Sequence, residues 1–126
     1  MTPKILIVED SPSMRNLVRE ALDPDGYQVT ESRNGREALD VLDRVAPDLV
    51  ITDVNMPELD GLALLRRIRS LPSFRFTPVL ILTSESAADM KENGRAAGAT
   101  GWLVKPFDPD QLRLVVAQVL GTRARA

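Results

Sequence analysis

The segment LVITDVNMP, residues 49–57, decides how the rest of the sequence is interpreted. Its first half is continuously apolar, and Pro57, Asp60 and Gly61 predict a turn directly after it. An apolar run of this length, bounded by turn signals, is typical of a buried strand. Asp53 would then lie at the carboxyl end of that strand, which is where open α/β sheets place their ligands.

Three further apolar runs end in polar residues in the same way. They occupy residues 5–8, 79–82 and 101–104. The first run is followed by Glu9 and Asp10, the second by Thr83 and the third by Lys105. Because the carboxyl ends of parallel strands meet at one edge of a sheet, we expect these side chains to converge on Asp53.

The order of strand and helix patterns predicts an α/β fold. Predicted strands at 5–8, 27–30, 49–52, 79–82 and 101–104 alternate with helices that begin near residues 13, 35, 61, 86 and 109. Right-handed crossovers give a doubly wound, five-stranded parallel sheet of the (βα)5, flavodoxin-like class. The alternating run at 27–30 is typical of an edge strand, which favours the strand order 2-1-3-4-5. In that order Asp10 and Asp53 flank the switch point between strands one and three.

The chain is predicted to form one domain over residues 1–121. Gly121 is expected to end the last helix and leave residues 122–126 as a disordered tail. The helix over 86–98 carries Gly94 in its body, which costs about 1 kcal/mol relative to alanine. We therefore expect this helix to be the least stable and the most mobile.

Several local features of the helices are also predicted. Ser13, Asn34 and Asp108 precede periodic apolar stretches and are interpreted as residues at helix N-termini. The arginines of the third helix, Arg69 among them, are interpreted as a solvated face.

Composition excludes several classes of function. The net charge of −2 gives no reason to expect nucleic acid or a membrane surface as partner. The sequence has no cysteine and no histidine, which excludes disulfides, thiolate metal sites and histidine-based catalysis. No apolar run approaches the roughly 20 residues that a membrane span needs, and no signal peptide is recognised. A cytoplasmic protein is expected.

The predicted cluster of Glu9, Asp10 and Asp53 carries an electrostatic cost. Two carboxylates about 4 Å apart repel by about 4 kcal/mol at an effective dielectric of 20. Either some of them are protonated or a cation lies among them, and oxygen ligands without histidine or cysteine favour Mg²⁺ over zinc. With Lys105 nearby, the charges balance and suit phosphoryl transfer, with Asp53 as nucleophile and the Thr83 hydroxyl as a donor to a phosphoryl oxygen.

Each of these residues also has an ordinary structural interpretation. Asp53 alone would most simply be a turn or capping residue, and Thr83 alone a helix N-cap. Lys105 alone would be a solvated lysine, and Trp102, three residues before it, would be a packing residue. The functional interpretation depends on their combination, since one topology brings all of them to the same edge.

The combined motifs resemble the receiver domain of bacterial two-component response regulators over almost the full length of the chain. The similarity is greatest to stand-alone chemotaxis-type (CheY-like) receivers. The motifs that carry the resemblance are VEDS at 8–11, DVNMP at 53–57, DG at 60–61, TS at 83–84 and KPF at 105–107.

The resemblance implies a magnesium-dependent phosphorylation site. Asp53 would be the phosphoacceptor. Asp10, Asp53 and the backbone carbonyl of Asn55 would ligate Mg²⁺, with Glu9 acting through water. Asn55 lies two positions after Asp53, and Glu85 lies two positions after Thr83. These two residues would tune how fast water attacks the phosphoryl group.

The resemblance also implies a switch. Thr83 and Lys105 would bind the phosphoryl group, and the bond between Lys105 and Pro106 would be cis. The family's switch aromatic is usually tyrosine or phenylalanine, whereas this chain has Trp102. A larger ring leaves open whether the side chain acts as a rotamer switch.

By the same resemblance, the chain would be a phosphoacceptor signalling protein rather than an enzyme. A histidine kinase or a histidine phosphotransfer protein would supply the phosphoryl group. An output partner would bind the face formed by the helix at 86–98, the Trp102 strand and the last helix. The sequence leaves open whether this partner belongs to chemotaxis or to a general phosphorelay. We expect a monomer, and dimerisation on phosphorylation stays open.

Two other functions were weighed against this one. A Mg²⁺-dependent phosphatase with an aspartate nucleophile would need a second acid two residues later, and Asn55 occupies that position. A degenerate binding module that works without phosphate would not need an intact acidic site.

Overall fold

The computed structural model describes residues 2–54, 56, 59–84 and 98–125, with side chains as far as residue 121. Within these ranges it contains five strands and four α-helices. The strands are β1 (Lys4–Val8), β2 (Gln28–Ser32), β3 (Leu49–Asp53), β4 (Val79–Thr83) and β5 (Gly101–Val104). The helices are α1 (Pro12–Leu22), α2 (Gly35–Val45), α3 (Gly61–Ser70) and α4 (Pro109–Arg125), with short 3₁₀ turns at Asp23–Asp25 and Pro72–Phe74.

The strands form one parallel sheet in the order β2-β1-β3-β4-β5. This confirms the predicted fold class, strand order and edge position of β2. The chain passes from β1 to β2 on one side and from β3 to β4 on the other side. Because β1 and β3 are neighbours, the switch point lies between their carboxyl ends.

The strands β1, β3 and β4 are buried on both faces, which explains why they are continuously apolar. Alternate residues of these strands enter two separate cores. Leu6 and Val50 pack on the side of α2 and α3, whereas Ile5 and Ile51 pack on the side of α1 and α4. None of the helices in the described ranges is long and apolar enough to cross a membrane.

The N-terminus of α1 differs from the prediction. Ser11, not Ser13, is the N-cap, and its side chain accepts a hydrogen bond from the Met14 N–H. Pro12 is the first helical residue, where its fixed φ suits the helix and its missing N–H costs nothing. The other two N-terminal predictions are confirmed, since Asn34 caps α2 and the Asp108 carboxylate accepts the Asp110 N–H at the start of α4.

The C-terminal end of α4 also differs from the prediction. The helix runs through Gly121 to Arg125, so Gly121 does not end it. A glycine ends a helix by adopting positive φ, and in the described chain only Gly26 and Gly98 do so among the glycines. Nothing between residues 122 and 125 breaks a helix. The domain bounds of 1–121 remain a prediction.

The prediction that the arginines of α3 form a solvated face is wrong for Arg69. Its guanidinium donates hydrogen bonds to the carbonyl oxygens of Thr77, at 2.6 Å, and of Gly98, at 3.0 and 3.1 Å. Burial lowers the pKa of this arginine. The predicted helix over 86–98 lies outside the described residues except for Gly98, which is in a turn.

Candidate functional site

An acidic cluster lies at the carboxyl edge of the sheet. Glu9 and Asp10 directly follow β1, and Asp53 is the last residue of the neighbouring strand β3. Oxygen atoms of these three carboxylates all lie within 4.8 Å of one another. Glu9 is 1% exposed and Asp53 is 5% exposed, whereas Asp10 is exposed to solvent. The predicted convergence of these residues is confirmed.

Lys105 brings the opposite charge into this cluster. It follows β5, and its backbone N–H donates to the Thr83 carbonyl oxygen at 2.7 Å. Its Nζ lies 3.1 Å from Asp53 Oδ1 and 3.4 Å from Glu9 Oε2. The bond between Lys105 and Pro106 is cis, as the resemblance implied. The lysine therefore reaches across the end of β4 to contact Asp53, which ends β3, and Glu9, which follows β1.

The cluster has one positive side chain against three carboxylates, and this imbalance appears in the titration of Glu9. The pKa of Glu9 is raised from 4.5 to about 7, first by burial and then by the nearby Asp53 carboxylate. Lys105 and the hydrogen bond from the Ser11 N–H to Glu9 Oε1 oppose this shift without cancelling it. The site is therefore short of positive charge.

The donor atoms of the cluster fit a hard divalent cation. All three side chains offer carboxylate oxygens, two of them in a buried setting, and the cluster contains no nitrogen or sulfur ligand. Mg²⁺ prefers such ligands and retains several waters, which the exposed position of Asp10 allows. An additional cation would also offset the repulsion that raises the pKa of Glu9. The residues present thus fit Mg²⁺.

The helix that follows Asp53 starts unusually close to the strand. The Gly61 N–H donates to the Val54 carbonyl oxygen at 2.9 Å, and the Asp60 side chain caps α3 by accepting the Ala63 N–H. A Cβ atom on Gly61 would overlap the backbone carbonyl oxygen of Asp53. Gly61 is therefore required for the close approach that fixes the backbone at the end of β3.

The predicted switch residues flank the cluster. Thr83 is fully buried at the end of β4, next to the strand that carries Asp53. Trp102 lies opposite Ile81 in β5, and its partly buried ring packs against the core on the side of α2 and α3. Asn55 and Glu85, predicted to hold the cation and to tune the site, lie outside the described residues.

One residue of this edge was missed by the sequence prediction. The Arg15 guanidinium donates hydrogen bonds to the backbone carbonyl oxygens of Glu9 and Asp10. The arginine lies in α1 and faces the loop that carries the two acids. Every residue has a carbonyl oxygen, so no sequence pattern marks such a contact in advance.

The fold and the acidic edge together define the class of protein. A family model described as the response regulator receiver domain matches residues 5–117, and the chain belongs to that family. This confirms the resemblance inferred from the motifs.

Individual relatives place the chain more closely. It is 39% identical over 121 residues to the chemotaxis protein CheY1 of Helicobacter pylori, covering 94% of this chain and 98% of that protein. It is 36% identical over 120 residues to the sporulation initiation phosphotransferase F of Bacillus subtilis, covering 95% of each. Other relatives are longer, since the chain spans 46% of the transcriptional regulatory protein TrcR of Mycobacterium tuberculosis, to which it is 36% identical.

Solved structures agree with this assignment. The chemotaxis protein CheY4 of Vibrio cholerae matches with a TM-score of 0.89 and 41% identity, covering 94% of this chain and 99% of that one. The receiver domain of the sensor histidine kinase PA1611 from Pseudomonas aeruginosa matches with a TM-score of 0.87 and 30% identity, covering 96% and 99%. That structure has a magnesium ion coordinated in its active site cleft.

Proposed function

We propose that this chain accepts a phosphoryl group on Asp53 in a Mg²⁺-dependent reaction and passes the signal to a partner protein. One observation carries the proposal: a buried carboxylate lies 3.1 Å from an ammonium group and within 4.8 Å of two further carboxylates. A buried carboxylate that is surrounded by other carboxylates and contacted by one ammonium group is better suited to nucleophilic attack on a phosphoryl group than to a structural role.

The proposed step is a transfer from a phosphohistidine. An Asp53 oxygen forms a bond to phosphorus while the phosphorus–nitrogen bond of the donor breaks, and the histidine leaves with a proton from solvent. Lys105 compensates charge on the phosphoryl oxygens. A cation held by Asp10, Asp53 and the Asn55 carbonyl, with Glu9 acting through water, would supply further charge compensation during the transfer.

Signalling would follow from the change in charge at Asp53. In the free protein, the Lys105 ammonium contacts both Asp53 and Glu9. A dianionic phosphoryl group would compete for this ammonium and for the Thr83 hydroxyl at the end of β4. The backbone N–H of Lys105 donates a hydrogen bond to the Thr83 carbonyl oxygen. Movement of either residue would therefore be transmitted to β4, β5 and Trp102.

The same proposal assigns the partners. A histidine kinase or histidine phosphotransfer protein would supply the phosphoryl group, and an output protein would bind the face that includes β5 and α4. The chain would act as an acceptor without turnover of a free substrate, in the cytoplasm and as a monomer before phosphorylation. The relatives named as a chemotaxis protein and as a sporulation initiation phosphotransferase support this kind of partner.

Acetyl phosphate and MgCl₂ provide a direct test by intact-protein mass spectrometry. The wild type should gain one phosphoryl group, and Asp53→Asn should gain none. Asp48→Asn is the matched control, since Asp48 directly precedes β3 at the end opposite to Asp53 and its substitution should leave phosphorylation unchanged. Phosphorylation of Asp53→Asn, or none in the wild type, would reject the proposal.

Lys105→Ala separates the acceptor from the switch. This variant should fold and still take up some phosphate, but its Trp102 fluorescence should no longer respond to phosphorylation. A response equal to that of the wild type would show that Lys105 does not couple the two events.

A further inference from the structure

Arg15 connects the first helix to the loop that carries two of the three acids. It is the fourth residue of α1, and its backbone N–H donates to the Ser11 carbonyl oxygen at 2.9 Å. Its guanidinium Nη1 donates to the Glu9 carbonyl oxygen at 2.8 Å and lies 3.4 Å from that of Asp10. One side chain therefore contacts two consecutive peptide groups of the loop.

A carboxylate on the edge strand holds this arginine in place. Glu31 of β2 has one oxygen 3.6 Å from Arg15 Nε and the other 2.8 Å from Arg19 Nη1. The two arginines differ in their surroundings: the Arg15 side chain is 16% exposed, whereas that of Arg19 is 52% exposed. Both share Glu31, but only Arg15 contacts the acidic loop among the described hydrogen bonds.

The backbone path of the loop determines where the two acids lie. Glu9 and Asp10 are consecutive, so a shift of the loop backbone would move at least one of their carboxylates away from Asp53. Glu9 is fixed by burial and by the hydrogen bond from the Ser11 N–H. Asp10 is exposed, so packing restrains it little, and the contact from Arg15 to its carbonyl becomes the more important restraint.

We propose that Arg15 is a positioning residue that holds the loop after β1 in the geometry in which Glu9, Asp10 and Asp53 bind a divalent cation. This inference rests on the proposed function, since it concerns the same site. Arg15 touches backbone oxygens and not the reacting atoms, so it acts through Glu9 and Asp10.

The charge of Arg15 and its hydrogen bonds predict effects of opposite sign. A cation close to the cluster repels Mg²⁺, so removing its charge alone would strengthen metal binding. Removing its hydrogen bonds would let the loop relax and would weaken metal binding. The direction of the change therefore shows which effect is the larger.

The test is titration of the whole chain with MgCl₂ by isothermal calorimetry, in three variants. Arg15→Met should weaken Mg²⁺ binding about tenfold, the low end for loss of an outer contact to a metal ligand. Arg15→Lys keeps the charge and one of the two carbonyl contacts, and it should recover most of the wild-type affinity. Arg19→Met is the matched control, because it breaks the exposed pair with Glu31 and should leave the affinity unchanged.

Thermal unfolding without Mg²⁺ separates positioning from stability. If Arg15→Met lowers the unfolding temperature while its Mg²⁺ affinity equals that of the wild type, Arg15 is structural only and the inference fails. Tighter binding by Arg15→Met, or an equal loss in Arg19→Met, would also overturn it. Phosphorylation of the wild type is measured separately, so failure here leaves the proposed function intact.

Discussion

Charged residues are arranged differently at the two edges of the sheet, where the strands begin (the amino edge) and where they end (the carboxyl edge). At the amino edge, Lys4 and Arg44 are exposed, and the Asp48 carboxylate accepts the Lys4 backbone N–H at 2.8 Å. Charges of both signs are mixed there and remain in contact with water. At the carboxyl edge, Glu9 and Asp53 are buried side by side.

This difference shows what the fold requires and what it does not. The amino edge demonstrates that parallel strands can end among solvated charges of mixed sign, so nothing in the architecture demands buried acids. The like charges at the carboxyl edge cost stability in the absence of a cation. Such local conflicts with folding rules are expected where a site serves chemistry.

The largest expected effect is at the carboxyl end of β3. Gly61→Ala should lower the free energy of unfolding by about 3 kcal/mol or more, because its Cβ would overlap backbone that cannot move aside. It should also reduce phosphorylation, since α3 must shift away from Asp53. Urea unfolding measures the first effect.

Gly121→Ala is the matched control for this substitution. Gly121 lies inside α4 with open space around its Cα, so alanine should raise stability by about 0.5–1 kcal/mol. A loss of stability in this variant would mean that the helix ends at Gly121 after all. Full stability of Gly61→Ala would remove the argument for close approach at Asp53.

The next effect is the pH dependence of stability without Mg²⁺. The pKa of Glu9 is raised from its ordinary value of 4.5 to about 7 in the folded chain, so the folded chain holds more protons than the unfolded chain between these limits. The free energy of unfolding should therefore fall as pH rises from 4.5 through 7, by about 2–3 kcal/mol in total from this group. Glu9→Gln should abolish this contribution.

The amino edge supplies the comparison for this measurement. Asp48→Asn should leave the decline between pH 4.5 and 7 as it is in the wild type, because it leaves the acidic cluster intact. Saturating MgCl₂ should flatten the wild-type curve, since a cation favours the ionised form of Glu9. Parallel curves for wild type and Glu9→Gln would contradict the assigned titration.

The smallest expected effect concerns Ser32, at the carboxyl end of the edge strand. It is 1% exposed, and its hydroxyl has no hydrogen-bond partner in the described structure, while its carbonyl accepts the Glu9 N–H at 3.0 Å. Ser32→Ala should raise the free energy of unfolding by up to about 1 kcal/mol, because an unsatisfied polar group leaves the core.

The exposed Ser70 provides a reference for that measurement. Its hydroxyl donates to the Arg67 carbonyl oxygen, so Ser70→Ala should change stability by no more than about 0.5 kcal/mol, in the unfavourable direction. A clear loss of stability in Ser32→Ala would reveal a partner for its hydroxyl.

The parts of the fold that depend on apolar burial were predictable from the sequence. The strands that end at Asp53 and Thr83 were located to within one residue, because a strand buried on both faces must be apolar throughout. The acidic edge followed from topology once those strands were placed. The prediction of Ser13 as N-cap was wrong, since Ser11 can also cap and only the position of Pro12 favours it.

The contacts of Arg15 and Arg69 were not predictable for a different reason. Both arginines donate to backbone carbonyl oxygens of other segments, which carry no signature in the residue types around them. Periodicity correctly placed both on helices but could not tell a solvated guanidinium from one that binds a neighbouring loop. Such contacts depend on the path of the backbone, which is fixed only after the elements pack.

The anchor at Arg69 suggests a practical use. It holds Gly98 through a main-chain oxygen alone, and the other end of the same connection is held where the Thr83 carbonyl accepts the Lys105 N–H. Gly98 has a φ of 95°, and an added Cβ would lie 3.3 Å from Arg69 Nε, so the turn at this end of the connection depends on glycine. Arg69→Met would therefore free the backbone in front of β5 while leaving the side chains of the acidic cluster in place, which gives protein engineers a way to alter one end of the sheet separately from the chemistry at Asp53.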